Sequence, residues 1–301
     1  DWEHSYFTMS DENNYMICNF LKKCYDHGWI YNGHESVPWC PRCETAISQH
    51  EMLTEDYKEL VHESVILEFK IQKSKVSNEY LLVWTTTPWT IPANIAVAVD
   101  TKADYSLVQG KISKDSYFWV MKDLVEKVFT DGYEKIIKTV KGKELIGLKY
   151  SSPFDILEIV KETAKNNPKK FHVVIATDDQ IMPISSLEGT GLVHTAVSAG
   201  TEDFMLGKKL GLPMIPVIAD NADYLPGLGF LSGKNAKKHP EIILDFLREE
   251  DKRGNDCIFN IFKYKHRYPA CWRCKTELVW KVEDEWYIAM DKPSQDQKSK
   301  I

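Results

Sequence analysis

Two Cys-x-x-Cys pairs, Cys40-Pro-Arg-Cys43 and Cys271-Trp-Arg-Cys274, stand near opposite ends of this 301-residue chain and enclose the stretch 44–270. Four thiolates on two tight turns suit one tetrahedral zinc with every coordination position filled. Redox or chance pairing is the competing reading. If one ion takes Cys40, Cys43, Cys271 and Cys274, the ends of the enclosed stretch are clamped together. A segment with clamped ends can be inserted into a larger protein without disturbing its host, so the chain reads as a module of something bigger. A closed Cys-only site leaves no position for water and suggests structure rather than catalysis. Cys18, Cys24 and Cys257 follow no ligand spacing and read as small buried hydrophobes. An odd total of seven cysteines with two metal-type pairs argues for a reducing compartment rather than a disulfide framework; the expected location is the cytoplasm, with an organellar version as the alternative.

Apolar residues at 43% and charged residues at 27% are ordinary for a globular protein, and nine Trp, 14 Tyr and 12 Phe supply a substantial core. No apolar run approaches the ~18 residues of a membrane span, so no membrane partner is expected. The opening Asp1-Trp2-Glu3-His4 shows neither an initiator Met nor a signal-peptide pattern. A net charge of −6 gives no support to a general nucleic-acid coat. Any such contact must be local, at Lys169-Lys170 or the run Lys263-Tyr264-Lys265-His266-Arg267. Short clusters of this kind are more often solvated surface.

Apolar spacing predicts a helix over Tyr15–Tyr25, ended by Gly28. Val65–Ile71 alternates as a strand, and Tyr80–Trp84 is a continuous apolar run, as in a strand covered on both sides. Ile95–Val99, Tyr117–Met121, Val173–Ala176, Leu192–His194, Met214–Ile218 and Cys257–Phe262 also read as strands. Lys122–Phe129 reads as a short helix. Thr201 is placed as the N-cap of a helix running to Leu210 and closed by Gly211. Asn235–Glu249 is the clearest amphipathic helix. Strands outnumber helices and do not alternate with them, which argues against a doubly wound sheet. The expected class is α+β: a curved or barrel-like mixed sheet with peripheral helices, plus a small zinc ribbon formed by the two chain ends. There is no GxGxxG and no GxxxxGK[ST] loop.

Two segments carry polar groups where chemistry is plausible. In Trp84-Thr85-Thr86-Thr87-Pro88-Trp89-Thr90, three threonines leave an apolar strand and meet a proline, and strand ends commonly hold ligand sites. From composition alone, a β-prone strand finishing in a turn is the simpler account. In Gly189-Thr190-Gly191-Leu192-Val193-His194, paired glycines let backbone approach something closely, and Asp203 opens the next helix. Taken singly, His194 reads as a hydrogen-bonded core histidine and Asp203 as a first-turn carboxylate favoured by the helix dipole.

Together these segments and the Cys pairs resemble one family. WTTTPWT, GTGLVH with an acid nine residues beyond the His, and CWRC are similar to the editing domain inserted in the catalytic domain of isoleucyl-tRNA synthetases. The resemblance runs nearly the whole length, from Tyr6-Phe7-Thr8-Met9 through His266-Arg267-Tyr268-Pro269 to Glu285-Trp286-Tyr287. Thr-Thr-Thr-Pro-Trp-Thr is its most specific element, since sister editing domains for valine and leucine typically read Thr-Thr-Arg-Pro there.

The resemblance implies hydrolysis of the ester of Val-tRNA(Ile) by a positioned water, while isoleucine is excluded. This amino-acid pair is itself the standard illustration of why editing exists: one methylene is discriminated only about 150-fold by a binding pocket. It implies a catalytic set of Asp203, His194 and Thr86. Asp203 matches the acid that holds the α-ammonium of valine, and His194 matches the pocket histidine beside the amino-acid side chain. Thr85, Thr86 and Thr87 match the threonines along the ester and terminal adenosine. Trp84, Trp89, Gly189, Thr190 and Gly191 complete the expected substrate-binding set. Residues 1–39 and 275–301 are expected to join a parent catalytic domain, 40–43 with 271–274 to form the ribbon, and 44–270 to form the editing domain. Partners are the acceptor end of tRNA(Ile) and the rest of the parent chain. ATP and Mg belong to the parent only, since neither HIGH nor KMSKS occurs in this sequence. One departure is visible: the family usually reads Ala-Pro after the His, whereas here Ala196-Val197 follows, and Ala199 precedes Gly200. The readings set against this one are the valyl-type editing domain and a non-catalytic zinc-ribbon tRNA-binding module. A ribbon needs only ~40 residues and leaves 44–270 without a purpose.

Overall fold

The apolar run at Tyr80–Trp84 becomes the strand on which the rest is assembled. A computed structural model describes residues 2, 3, 5–54, 58–74, 76, 78–111 and 115–290. In chain order its helices and strands are α1 (Asp11–Asp26), β1 (Ile30–Cys40), β2 (Thr45–Ala46), α2 (Gln49–Thr54), β3 (Lys58–Ile71), β4 (Glu79–Thr85), β5 (Ala96–Val99), β6 (Asp104–Gly110), β7 (Tyr117–Met121), α3 (Val125–Val128), β8 (Tyr133–Lys141), β9 (Tyr150–Ser151), α4 (Glu158–Asn166), β10 (Val173–Ala176), β11 (Leu192–Thr195), α5 (Thr201–Leu210), α6 (Glu241–Lys252), β12 (Ile258–Tyr268) and β13 (Val279–Ile288). Contacts divide the chain into two units, Asp1–Glu35 with Val282–Ile301, and Ser36–Lys281.

In the first unit, Ser10 caps α1 by accepting the Asn13 N–H, and the apolar side chains of Tyr15, Met16 and Phe20 are exposed. Ala289 N donates to the Trp29 carbonyl at 2.9 Å, and Tyr31 stacks on Tyr287.

The second unit is built on a ten-stranded mixed sheet with the order β10-β5-β11-β4-β7-β6-β8, while β3 adds β12 and β9. This bears out the curved, half-closed mixed sheet. β4 has three neighbours. One edge pairs antiparallel with β3 from Tyr80 to Thr85. The other edge is shared: Glu79–Leu81 pair parallel with β7, and Trp84 pairs parallel with Val193 of β11. The sheet therefore forks beside the C-terminal end of β4. Both faces of β4 are covered, and Leu81, Leu82 and Val83 are fully buried, which explains the lack of alternation.

Several sequence expectations shift in the structure. Gly200, not Thr201, is the N-cap of α5, and Gly211 closes it in the left-handed region at φ 61°. Helix α6 begins at Glu241 rather than Asn235. Pro240 occupies its N-cap, and the Asn235 side chain accepts the Lys237 and Lys238 N–H groups in a local turn that competes with helix. Met214–Ile218 forms no strand and contributes one bridge, Ile218 to Tyr224. Lys122–Phe129 divides into a 3-10 turn and the four-residue α3. Cys24 and Cys257 are buried as expected, but Cys18 is exposed. β6 and β8 were not anticipated. β8 is exposed on both faces, so its apolar pattern carries no period.

Leu82 sits where the partner of β4 changes. Leu82→Ala is expected to cost about 2–5 kcal/mol, because a cavity at a fork has no single neighbour able to collapse into it. Urea denaturation measures this, and a loss below 1 kcal/mol contradicts the placement.

Candidate functional site

The fork opens into a cavity of about 300 Å³. Its walls come from the end of β4, the segment 183–191, β11 and the first turn of α5. Of the residues singled out in the sequence, Trp84, Thr85, Thr86, Thr87, Gly189, Thr190, Gly191, His194 and Asp203 all line it. Trp89 does not; it is 5% exposed and lines a neighbouring cavity.

The three threonines are held differently. Thr85 Oγ1 accepts the Thr87 N–H at 3.1 Å, which turns the chain out of β4. The Thr87 carbonyl accepts both the N–H and the hydroxyl of Thr90, at 3.0 and 2.9 Å. Thr86 is half-buried, and its hydroxyl makes no hydrogen bond among the described residues. Trp84 donates its indole N–H to Ser64 Oγ, which in turn donates to the Thr85 carbonyl. The ring of Trp84 lies against Gly189, where a Cβ would come within 2.6 Å of it. Gly191 is as tightly constrained: it has φ 75°, and a Cβ would meet Met121 at 2.3 Å. These two glycines let the 189–191 segment run between β7 and β11. The Met121 N–H donates to the Thr190 carbonyl at 2.9 Å, and Tyr105 OH to the Gly191 carbonyl at 2.7 Å.

His194 is 8% exposed, and both ring nitrogens are engaged. Nε2 lies 3.0 Å from Thr90 Oγ1, and Nδ1 lies 2.7 Å from Asn94 Nδ2. Asn94 decides the tautomer. Its Nδ2 also faces the Ala96 carbonyl at 3.1 Å, a group that can only accept, so the amide nitrogen must be on this side. His194 Nδ1 therefore accepts, and Nε2 carries the proton. Thr90 donates onward to Thr87, leaving its oxygen free to accept from Nε2. Burial lowers the His194 pKa to about 4, with the nearby His172 adding to the effect and the Thr90 contact opposing it. The ring is neutral, and its basic nitrogen is already taken. Thr90 and Asn94 were missed in the sequence, although both lie in the run that follows the threonines. Tyr150 completes this network by donating to Asn94 Oδ1 at 2.6 Å.

Asp203 stands in the first turn of α5, half-buried at the cavity wall. Its Oδ1 accepts the Ala196 N–H at 2.8 Å. Gly200 makes room for the carboxylate, since a Cβ there would fall 2.1 Å from Oδ2. Burial raises the Asp203 pKa to about 7 against the pull of the Ala196 N–H, with Glu202 adding to the rise. A cationic ligand group beside it would restore the charged form. The departures at 197 and 199 have separate places: Val197 packs under Gly207 of α5, and Ala199 lines the cavity.

The four paired cysteines lie together, with their sulfurs within 4.8 Å of one another, and can hold one metal ion. Tetrahedral zinc at ~2.3 Å from each sulfur places sulfurs about 3.8 Å apart, which this cluster fits. The two turns match. Glu44 N donates to Cys40 O and Lys275 N to Cys271 O, both at 2.8 Å, and Glu44 and Lys275 are left-handed at φ 49° and 58°. Ile47 and Leu278 pack against the cluster. Lys170 caps the end of α5 through the Leu210 and Gly211 carbonyls, and Lys265 pairs with Glu59 at 2.7 Å. No helix among the described residues is long and apolar enough to cross a membrane.

The family model described as tRNA synthetases class I (I, L, M and V) matches residues 1–301. The isoleucine–tRNA ligase of Saccharolobus solfataricus is 36% identical over 97% of this chain and 28% of its own length. That of Pyrococcus furiosus is 36% identical over 97% of this chain and 26% of its own. The chain thus spans about a quarter of the length of the curated relatives it matches. Among solved structures, the P. knowlesi cytosolic leucyl-tRNA synthetase editing domain is similar with a TM-score of 0.45 and 12% identity, covering 70% of this chain and 98% of that one.

His194 and Asp203 give stability opposite dependences on pH. The unfolded chain protonates His194 near 6.5, but the folded chain only near 4. Stability therefore falls as pH drops through that window, by up to about 3 kcal/mol. The folded chain keeps the Asp203 proton up to about 7 against an ordinary 3.8, so that contribution is lost as pH rises through its window. Urea melts at pH 4, 5.5, 7 and 8 separate the two. Asp203→Asn should gain stability relative to wild type as pH rises, and His194→Gln should gain it as pH falls below 6.5. Differences that do not move with pH contradict these assignments.

Proposed function

This chain belongs to the class I tRNA synthetases (I, L, M and V), and we propose that its cavity hydrolyses the ester of valine mischarged onto tRNA(Ile). The observation that carries the reading is the pairing, across one small cavity, of a half-buried carboxylate at Asp203 with a neutral, doubly hydrogen-bonded His194. An aminoacyl ester has an ammonium and a side chain on the same carbon. Asp203 suits the ammonium through a charge-assisted hydrogen bond. His194, clamped by Thr90 and Asn94, suits the role of a wall that admits valine and stops isoleucine. Forcing one more methylene into a packed site costs about 1–3 kcal/mol.

The chain offers no protein base for the attacking water at His194, because Nδ1 is already an acceptor for Asn94. The reaction is direct attack by a positioned water, helped by the ribose hydroxyl of the substrate. The Thr86 hydroxyl and nearby backbone N–H groups supply donors for the oxyanion. The metal centre takes one zinc on Cys40, Cys43, Cys271 and Cys274. Its closed thiolate set is structural, leaves no position for substrate and fits a reducing, cytoplasmic setting. Residues 44–270 form the editing domain, and 1–39 and 275–301 lead to and from the synthetase body. ATP and Mg act only there.

Release of valine from Val-tRNA(Ile), compared with Ile-tRNA(Ile), tests the activity. Asp203→Ala should lower kcat/KM for Val-tRNA(Ile) by about 10- to 150-fold, the worth of one hydrogen bond to a charged group. An unchanged rate rejects the site. A limb in kcat/KM with an apparent pKa near 7 should appear on the acid side, because the ammonium needs the ionised carboxylate. For the metal, elemental analysis should give one zinc per chain, and chelation should lower Tm and hydrolysis together. Loss of hydrolysis at an unchanged Tm contradicts a structural role.

A further inference from the structure

His172 stands behind the site, outside the cavity lining, and each of its ring nitrogens meets an oxygen there. We infer that His172 is a positioning residue for the specificity wall: it holds Asn94, and through Asn94 the ring of His194. The inference rests on the editing reading above and deepens it, adding a residue two contacts behind the substrate.

The backbone is the first argument. His172 is 4% exposed and holds φ 42°, in the left-handed region. That region is uncommon for residues other than glycine, although histidine and asparagine tolerate it better than most. A buried residue kept there needs surroundings that over-determine it. The His172 N–H donates to the Ile95 carbonyl at 2.8 Å, and its carbonyl accepts the Tyr150 N–H at 3.3 Å. The ring stacks on those of Tyr150 and Phe171, with centroids 4.9 and 3.9 Å away, and Phe69 stacks on Tyr150 at 5.1 Å.

The nitrogens are the second argument. Nε2 lies 3.2 Å from the Asn94 carbonyl, which can only accept, so Nε2 carries a proton and donates it. Nδ1 lies 3.1 Å from Asp155 Oδ1, at ion-pair distance but off hydrogen-bond alignment, while Asp155 Oδ2 accepts the Ser152 N–H at 3.0 Å. Asn94 is thus held at three points. His172 takes its backbone carbonyl, Tyr150 its Oδ1, and the Ala96 carbonyl its Nδ2. Two of the three depend on His172, because Tyr150 stacks on its ring. The remaining amide hydrogen goes to His194 Nδ1 at 2.7 Å. A tilt of Asn94 lets its amide turn over and present an oxygen to His194, which moves the ring proton from Nε2 to Nδ1. His194 then stops donating to Thr90 and loses its fixed plane.

Two substitutions remove the Nε2–H by different routes. His172→Phe keeps the stack of rings, and His172→Asn keeps a residue that tolerates a positive φ. Each should lower the ratio of kcat/KM for Val-tRNA(Ile) over Ile-tRNA(Ile) by about tenfold, equivalent to about 1.4 kcal/mol, through a rise in the isoleucine rate. Asp155→Asn retains a polar atom beside Nδ1 and an acceptor for Ser152, and should keep the wild-type ratio. Nitrogen-15 spectra of histidine-labelled protein give a readout independent of catalysis, with His194→Gln identifying the signals. The wild type should show His194 with Nε2 protonated and Nδ1 bare, and in both His172 variants the two signals should approach each other as the tautomers mix. A ratio and a tautomer unchanged in both variants overturn the inference. Valine and isoleucine rates that fall in parallel with Tm, at an unchanged tautomer, overturn it too, because they mark a merely structural role. So does an Asp155→Asn variant that matches the His172 variants, since charge rather than the N–H would then set the wall. A wild type that hydrolyses neither ester rejects the editing reading, and the tautomer alone then decides whether His172 positions Asn94.

Discussion

The constraint on which the rest depends is the divided edge of β4. A strand edge can satisfy only one partner at a time, and here β7 takes the first residues and β11 takes Trp84. Between them the ladder must stop and restart. The gap is closed by the 189–191 backbone, whose Thr190 and Gly191 carbonyls accept from Met121 and Tyr105. The paired glycines are therefore required by the sheet before any ligand is considered. A cavity beside the end of β4 is the geometric consequence of the fork, and the threonines leave the strand into it.

The site holds two titratable groups in their less usual forms. His194 is kept neutral by burial and by an amide whose orientation is dictated by the Ala96 carbonyl. Asp203 is pushed toward protonation by burial, and a cationic ligand reverses that tendency. Each costs stability, His194 increasingly as pH falls below 6.5 and Asp203 increasingly as pH rises above 3.8. Carboxylate burial is thus a strain concentrated at one position. Gly200 shows the same compromise. A better N-cap such as Ser would bring a Cβ into the space that the Asp203 carboxylate occupies.

What was legible in the sequence followed local chemistry. The strands at Tyr117–Met121 and Val173–Ala176 were read at their observed limits, because both are short, apolar and buried. The Cys pairs were legible through spacing alone. The misses arose where tertiary context overrides pattern. Asn235 looked like a helix start, but its side chain instead bonds Asn221, Asp223 and two N–H groups of its own turn. β8 is an edge strand with no apolar face to announce it. Within the site, Trp89 was grouped with the threonines by adjacency. The turn from Pro88 to Ala93 carries it round to the other cavity, and the same turn brings Thr90 and Asn94 back to His194. Sequence neighbours on a 3-10 turn point to different places, and only the fold reveals which of them return.

Three adjacent threonines might look like redundancy, yet each is committed differently. Thr85 spends its hydroxyl on the turn, and the backbone of Thr87 is spent on Thr90, which in turn fixes His194. β-branching restricts χ1 at all three, so the turn is stiff without a larger side chain. Of the three, only Thr86 makes no hydroxyl hydrogen bond among the described residues, and with Thr87 it lines both cavities. Its neighbours hold the frame, so that an uncommitted hydroxyl is presented at a defined position on the cavity wall. Replacing Thr85 would therefore disturb the turn, whereas replacing Thr86 would remove a donor from an otherwise intact frame.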